Sequence, residues 1–183
     1  KVTCLTISPS QRDFAMQRMQ KQGLNERVEI RLEDYRDHQG KYDGVASIEM
    51  FEAVGEAYWP SYFEKVRESL NEDAKAALQI ITIDEKRFEV YRKQADFIQR
   101  HIFPGGMLPS VTALQEKFSQ HGFCLVDQEM FGGDYARTIE LWRERFEERW
   151  AQISSLGFDQ RFYRLWRYYL SYCEGGFKEG AID

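Results

Sequence analysis

Cysteine is scarce in this chain. Cys4, Cys124 and Cys173 are the only three among 183 residues, with no CxxC pair and no histidine at ligand spacing. A disulfide framework is thereby excluded, and free thiols in a reducing, intracellular compartment are the expectation. His38, His101 and His121 stand isolated, so no metal site is expected. Long apolar runs are also missing: none approaches the roughly 20 residues that span a bilayer. Nothing at the start reads as a signal segment, because Lys1 opens directly onto a strand-like stretch. A basic excess is lacking too, with 25 Lys and Arg against 30 Asp and Glu and a net charge of −5. That balance argues against nucleic acid as a partner, whose phosphates demand a basic face. A GxSxG elbow is absent, as is a glycine-rich turn between the first strand and the first helix. The pairs Gly105-Gly106, Gly132-Gly133 and Gly175-Gly176 read as loops.

What is present is an ordinary globular composition, 43% hydrophobic and 30% charged. At this length one domain is expected, able to bury roughly 70% of its unfolded surface. KVTCLTI is β-rich and leads into a helix that Ser8 caps, Pro9 enters and Gly23 stops. Val28, Ile30 and Leu32 alternate with charged residues as in a strand that ends on Glu33 and Asp34. A short strand over YDGVASIEMF follows, with Val45 and Ile48 at its heart. A helix carrying Tyr58, Tyr62, Phe63, Val66 and Leu70 comes next, and then a β-branched strand over AKAALQIITI. Strands alternating with helices predict a doubly wound α/β domain with a mostly parallel sheet, whose ligands gather at the carboxyl ends of the strands.

Beyond Asp84 the pattern changes. Residues 84–122 read as a helical insertion or lid with a Pro/Gly loop at IFPGGMLPS, and FCLVDQEMF reads as one more strand. Two aromatic-rich helices close the chain, the first with Ile139, Trp142, Phe146, Trp150 and Ile153 on one stripe. Arg143, Arg145, Arg149, Arg161, Arg164 and Arg167 lie in this part. They are interleaved with Glu140, Glu144, Glu147 and Glu148, as on a solvated, salt-bridged face, although arginines of this density also suit anionic head groups.

TISPSQ, DYRD, SIEMFEAVG, IITI, IFPGGMLPS, DYARTIELW and the closing YYLSYCEGGFKEGAID follow one another in a characteristic order. With them the chain resembles, from Lys1 to Asp183, the cyclopropane-fatty-acyl-phospholipid synthases and mycolic acid cyclopropane synthases. The resemblance implies a Rossmann-like class I methyltransferase sheet with a helical insertion and C-terminal helices. It also implies that the sheet's first strand and glycine loop lie upstream. The chain is then an N-terminally truncated single methyltransferase domain, inactive on its own, with a gap expected between the strands that start at Val2 and Gly44. The implied cofactor is S-adenosylmethionine, with Thr6, Ile7 and Gln11 near its adenosine, Leu32, Glu33 and Asp34 around its adenine, and Ile48 at the same site. Taken singly these are strand packing, a solvated helix residue and surface charges.

The implied reaction is methyl transfer to the double bond of an unsaturated phospholipid acyl chain, giving a cyclopropane or a methyl- or methylene-branched product. Proton loss after transfer calls for a base in a water-poor pocket. The resemblance assigns Glu52, Tyr135 and the backbone of Ile83 to this centre, around a bicarbonate ion. Read alone, Glu52 is a favourable charge at a helix start and Tyr135 a packing residue. The chain departs from the family where HTI after the fourth strand becomes Ile81-Thr82-Ile83 and where Ala53 replaces a histidine. Methyl transfer is thereby better supported than ring closure. A cytoplasmic protein with peripheral membrane contact is implied, and a homodimer is compatible with it. The alternatives are a methyltransferase on another small hydrophobic acceptor and a non-catalytic lipid- or partner-binding module.

Overall fold

A computed structural model describes all residues, 1–183. Strand β1 (Val2–Thr6) is followed by helix α1 (Pro9–Lys21) and strand β2 (Val28–Leu32), and the two strands run parallel with Val2 opposite Val28 and Thr6 opposite Leu32. The Ser8 hydroxyl accepts from the Gln11 amide at 3.3 Å, and Pro9 occupies the first turn, where its missing N–H costs nothing. No residue of α1 is buried, and Phe14 and Met16 stay exposed.

Strand β3 (Tyr42–Ile48) pairs with β4 (Leu70–Gln79). Tyr42 N–H donates to Ser69 O and Glu49 N–H to Gln79 O, each at 2.9 Å, so the two strands advance in the same direction. Ten residues of β4 run beside seven of β3, and Asp73 at φ 60° marks the irregularity. The strand expected to run on to Phe51 ends at Ile48, and the expected helix over 52–71 resolves into two short 3-10 turns, Phe51–Ala53 and Glu56–Tyr58, and then helix α2 (Trp59–Glu68). The β3–β4 pair is separate from the β1–β2 pair, consistent with the gap expected between the strands beginning at Val2 and Gly44.

The chain divides into two compact units. One comprises Lys1–Val45 and Ser61–Ala77, the other Ala46–Pro60 and Leu78–Asp183. In the first, Tyr62, Phe63, Val66 and Leu70 are buried, and Tyr35 meets the Tyr62 ring edge-on at 5.9 Å. The buried His38 ring lies between Glu33 (Nδ1 to Oε1, 3.0 Å) and Tyr42 (Nε2 to Oη, 2.8 Å), which fixes the end of the loop after β2.

In the second unit, residues 84–122 form α3 (Glu85–Tyr91), α4 (Phe97–His101) and α5 (Val111–Gln120). The interruption between α3 and α4 is set by Asp96. Its side chain accepts from Gln99 N–H while the Gln99 side chain accepts from Asp96 N–H, a reciprocal cap that starts a new helix. The strand expected over FCLVDQEMF does not form. These residues have no ladder partner, and Leu125, Val126 and Met130 are exposed; an apolar run without a neighbouring strand leaves its backbone groups to water.

Helices α6 (Gly132–Glu148), α7 (Trp150–Ser155) and α8 (Gln160–Lys178) complete the unit. Ala136, Ile139, Phe146, Leu170 and Phe177 form the core between α6 and α8, with Trp150, Phe162 and Trp166 packed against it. Two glycine pairs expected in loops are helical instead, Gly132-Gly133 opening α6 and Gly175-Gly176 lying in α8. Close packing explains one member of each pair. A Cβ on Gly132 would stand 2.9 Å from Asp183 Oδ2, and one on Gly176 would stand 3.1 Å from Ile182.

Candidate functional site

The turn leaving β3 carries two carboxylates three residues apart, Glu49 and Glu52. Glu49 adopts φ 49°, a left-handed backbone that a side chain rarely takes without compensation. Its carboxylate accepts from Gln79 Nε2 at 2.8 Å and from the phenol of Tyr135. Gln79 sits at the end of β4 and Tyr135 in the first turn of α6, so one exposed carboxylate ties a strand end to a helix. Glu49 was not singled out from sequence. The available signal was a second acid three residues before Glu52 in the segment that follows a strand.

Glu52 lies in the first 3-10 turn. Its Oε1 accepts from the Ile81 amide at 2.6 Å, while its Oε2 is buried with no hydrogen-bond partner. Burial raises the pKa of this carboxyl, the Ile81 N–H acts in the opposite direction, and the nearby Glu49 charge raises it further. The Glu52 carbonyl accepts from Met107 N–H at 2.8 Å, so the IFPGGMLPS loop packs directly over it. Gly106 is needed here: a Cβ would come within 3.3 Å of that carbonyl and 3.1 Å of Phe103 O.

Tyr135 stacks on Phe177 with ring centroids 4.7 Å apart. Burial and then the hydrogen bond to the Glu49 carboxylate hold its phenol well above the usual tyrosine range, so it remains a proton donor at neutral pH. Ile83 is buried, and its N–H donates to Pro109 O at 2.9 Å, so its amide is already committed within the fold. Its neighbour Thr82 exchanges backbone bonds with Asp183, and Ile83 bridges to Ile182. A cavity of about 240 Å³ opens beside this centre, lined by Gln79, Ile81, Leu114, Phe118, Tyr135 and Phe177 among others. The second unit therefore gathers Glu49, Glu52, Ile81 and Tyr135, with Ile83 two residues from Ile81. Ile48, 59% exposed at the end of β3, belongs to the same unit.

Thr6, Ile7, Gln11, Leu32, Glu33 and Asp34 belong to the first unit, at the carboxyl ends of β1 and β2. Thr6 Oγ1 donates to Gln11 Oε1 at 2.9 Å and accepts from Ser8 N–H at 3.2 Å. Asp34 is fixed by the Arg36 guanidinium at 2.7 Å and by its backbone amide, which together hold its carboxyl at about 2. Ile7 is 75% exposed and Leu32 46% exposed, leaving apolar surface beside the two carboxylates. No group of three or more His, Cys, Asp or Glu side chains forms a metal cradle, and no helix is long and apolar enough to cross a membrane.

The family model described as mycolic acid cyclopropane synthetase matches residues 1–183. A tuberculostearic acid methyltransferase of Mycobacterium tuberculosis, UfaA1, is 43% identical over the whole chain, which covers 43% of that protein. The cyclopropane-fatty-acyl-phospholipid synthase of Escherichia coli K12 is 36% identical over the whole chain, covering 45% of that protein. The chain thus spans a little under half the length of these relatives. Among solved structures, the mycolic acid cyclopropane synthase CmaA1 complexed with SAH and CTAB superposes with a TM-score of 0.90 at 25% identity, over 100% of this chain and 67% of that one.

Proposed function

From the premise that this chain belongs to the mycolic acid cyclopropane synthetase family, we propose that it is part of a methyltransferase domain acting on the double bond of an unsaturated phospholipid acyl chain. The observation that carries this reading is the grouping of Glu52, Glu49 and Tyr135 beside an apolar cavity, with one buried Glu52 oxygen left without a partner.

The ends of β1 and β2 fit the adenosine portion of S-adenosylmethionine. Exposed Ile7 and Leu32 offer apolar surface to a purine, Glu33 and Asp34, already bonded to His38 and Arg36, keep further acceptor lone pairs for its amino group, and the Thr6–Gln11 pair offers a hydroxyl and an amide to a ribose. When bound, S-adenosylmethionine supplies an electrophilic methyl group. This chain's residues then have two tasks. The first is to exclude water, and the IFPGGMLPS loop closing over Glu52 and the aromatic wall of Tyr135 and Phe177 serve it; residues 84–122 act as a lid over the acyl chain. The second is to receive the proton released from the alkylated substrate. Glu52 suits this role, because a burial-raised carboxyl is a stronger base when ionised than one in water. Glu49, with Tyr135 donating to it, supplies the charge that stabilises a cationic substrate.

Ile81 donates only its backbone N–H to this centre, and its side chain carries no polar atom to help hold a bicarbonate ion. The orphaned Glu52 Oε2 is compatible with such an ion, whose partners here would be Glu52 and Tyr135. The product favoured by this set is a methylene-branched chain, or a methyl-branched chain that keeps its double bond, because loss of the proton to Glu52 restores one carbon-carbon double bond. The test is to incubate the purified full-length protein that carries this chain with deuteromethyl-labelled S-adenosylmethionine and oleoyl phospholipid vesicles and to analyse the acyl chains by mass spectrometry. A labelled branched chain is expected. A cyclopropane would overturn the product assignment, and no label in the lipid would overturn methyl transfer itself.

A further inference from the structure

The arginines of the last three helices fall into two groups. Arg143 and Arg167 are held by Glu147 and Glu174, at distances down to 2.7 Å, and Arg137 by Glu140. Arg145 in the last turn of α6 and Arg149, the residue between α6 and α7, are exposed and lie within no ion pair. These two line an open groove of about 690 Å³ at the corner of α6 and α7, together with Trp142, Ile153 and Leu156, and no carboxylate lines it. Trp142 is 50% exposed and Leu156 77% exposed. Gly157, at φ 99°, turns the chain so that Leu156 and the exposed Phe158 flank the tip between α7 and α8.

A pair of unpaired guanidinium groups beside a tryptophan and an apolar loop tip has the chemistry of a membrane-surface contact. Arginine takes phosphate oxygens in a bidentate fork. Tryptophan settles at the boundary between head groups and acyl chains. Leucine and phenylalanine at a loop tip gain by leaving water for that same layer. The net charge of −5 on this chain opposes an anionic bilayer, so contact requires a local basic site, and Arg145 and Arg149 are the charged side chains that line this groove. Glu144 and Glu148 are exposed on α6 as well, but outside this groove.

We propose that the α6–α7 corner docks on an anionic phospholipid bilayer, with Arg145 and Arg149 on head-group phosphates and Trp142, Leu156 and Phe158 in the interfacial layer. The proposal rests on the groove and not on the methyl-transfer reading. It is tested on the purified protein by co-sedimentation with vesicles of phosphatidylglycerol and phosphatidylcholine, and with phosphatidylcholine alone. Binding to the anionic vesicles that weakens with added salt is expected. Arg145→Gln with Arg149→Gln should lower partitioning about thirtyfold, at ~1 kcal/mol for each arginine at the surface. Both side chains are exposed and unpaired, so the variant should fold normally. Vesicles should shift the tryptophan emission to the blue in the parent and not in Trp142→Phe. Equal binding to neutral vesicles would overturn the proposal, as would unchanged partitioning of the double variant. An equal loss in the charge-matched control Arg161→Gln with Arg164→Gln would also overturn it, because net charge alone would then explain the effect. No outcome depends on methyl transfer, so the two readings fail separately.

Discussion

The Ile81 amide donates to Glu52 Oε1 at 2.6 Å, and the other oxygen of the same carboxyl is buried without a partner. One oxygen is thus used by the fold to orient the group, and the second is left for whatever enters the site. Burying a polar atom in this way costs stability unless a ligand satisfies it.

Glu52→Gln keeps an oxygen for the Ile81 amide while removing the base. The expected outcome is an intact circular dichroism spectrum with methyl transfer reduced on the order of 10²–10⁴-fold, the usual worth of a positioned base. The parent should also show an acid limb in its rate profile displaced above the ordinary carboxylate value of 4.5, because burial raises this group. A profile whose acid limb lies at or below that value, or a fully active Gln variant, would remove Glu52 from the chemistry.

Tyr135→Phe retains the stack on Phe177 and loses only the hydroxyl given to Glu49. Melting should change little, whereas transfer should fall by at least about tenfold, as for a lost electrostatic contact. Glu49→Gly forms the complementary test. It relieves the left-handed backbone but gives up the bonds from Gln79 and Tyr135, so the melting temperature is expected to change little, while transfer falls with that of Tyr135→Phe. Additive losses in the double variant would show that the two residues do not act as a pair.

Gly132→Ala places a methyl group where Asp183 Oδ2 would lie 2.9 Å away, and it disturbs the carboxylate that accepts from the Phe131 and Gly132 amides at 3.0 and 3.1 Å. A destabilisation of about 1–3 kcal/mol is expected from overpacking, read by urea unfolding. Gly133→Ala, where a Cβ meets nothing within 4 Å, is the control and should be close to neutral.

Alkaline pH should destabilise the fold. Burial pushes Tyr91, Tyr169 and Tyr172 up to about 12 from 10.0, and Cys173 up to about 12 from 9.0. The folded state holds these protons more tightly than the unfolded chain. Their contribution to stability is therefore fully present below pH 9 and is lost as pH rises toward 12. Urea midpoints at pH 8 and pH 11 provide the measurement, and equal midpoints would contradict it.

Local chemistry was sufficient for much of the architecture. The Ser8-Pro9 start of α1, the alternation of Val28, Ile30 and Leu32, and the aromatic stripes of α6 and α8 are all encoded within a few neighbouring residues. Capping, periodicity and side-chain branching act at that range. The grouping of motifs around Glu52 and Tyr135 likewise identified the family before any coordinates. Tertiary structure alone decided three things: that FCLVDQEMF finds no strand to pair with, that Asp183 and Ile182 leave no room for a Cβ at the helical Gly132 and Gly176, and that Glu49 is the acceptor for Tyr135. Each depends on groups far apart along the chain meeting in space, and burial, pairing and charge balance at such meetings cannot be computed from neighbours.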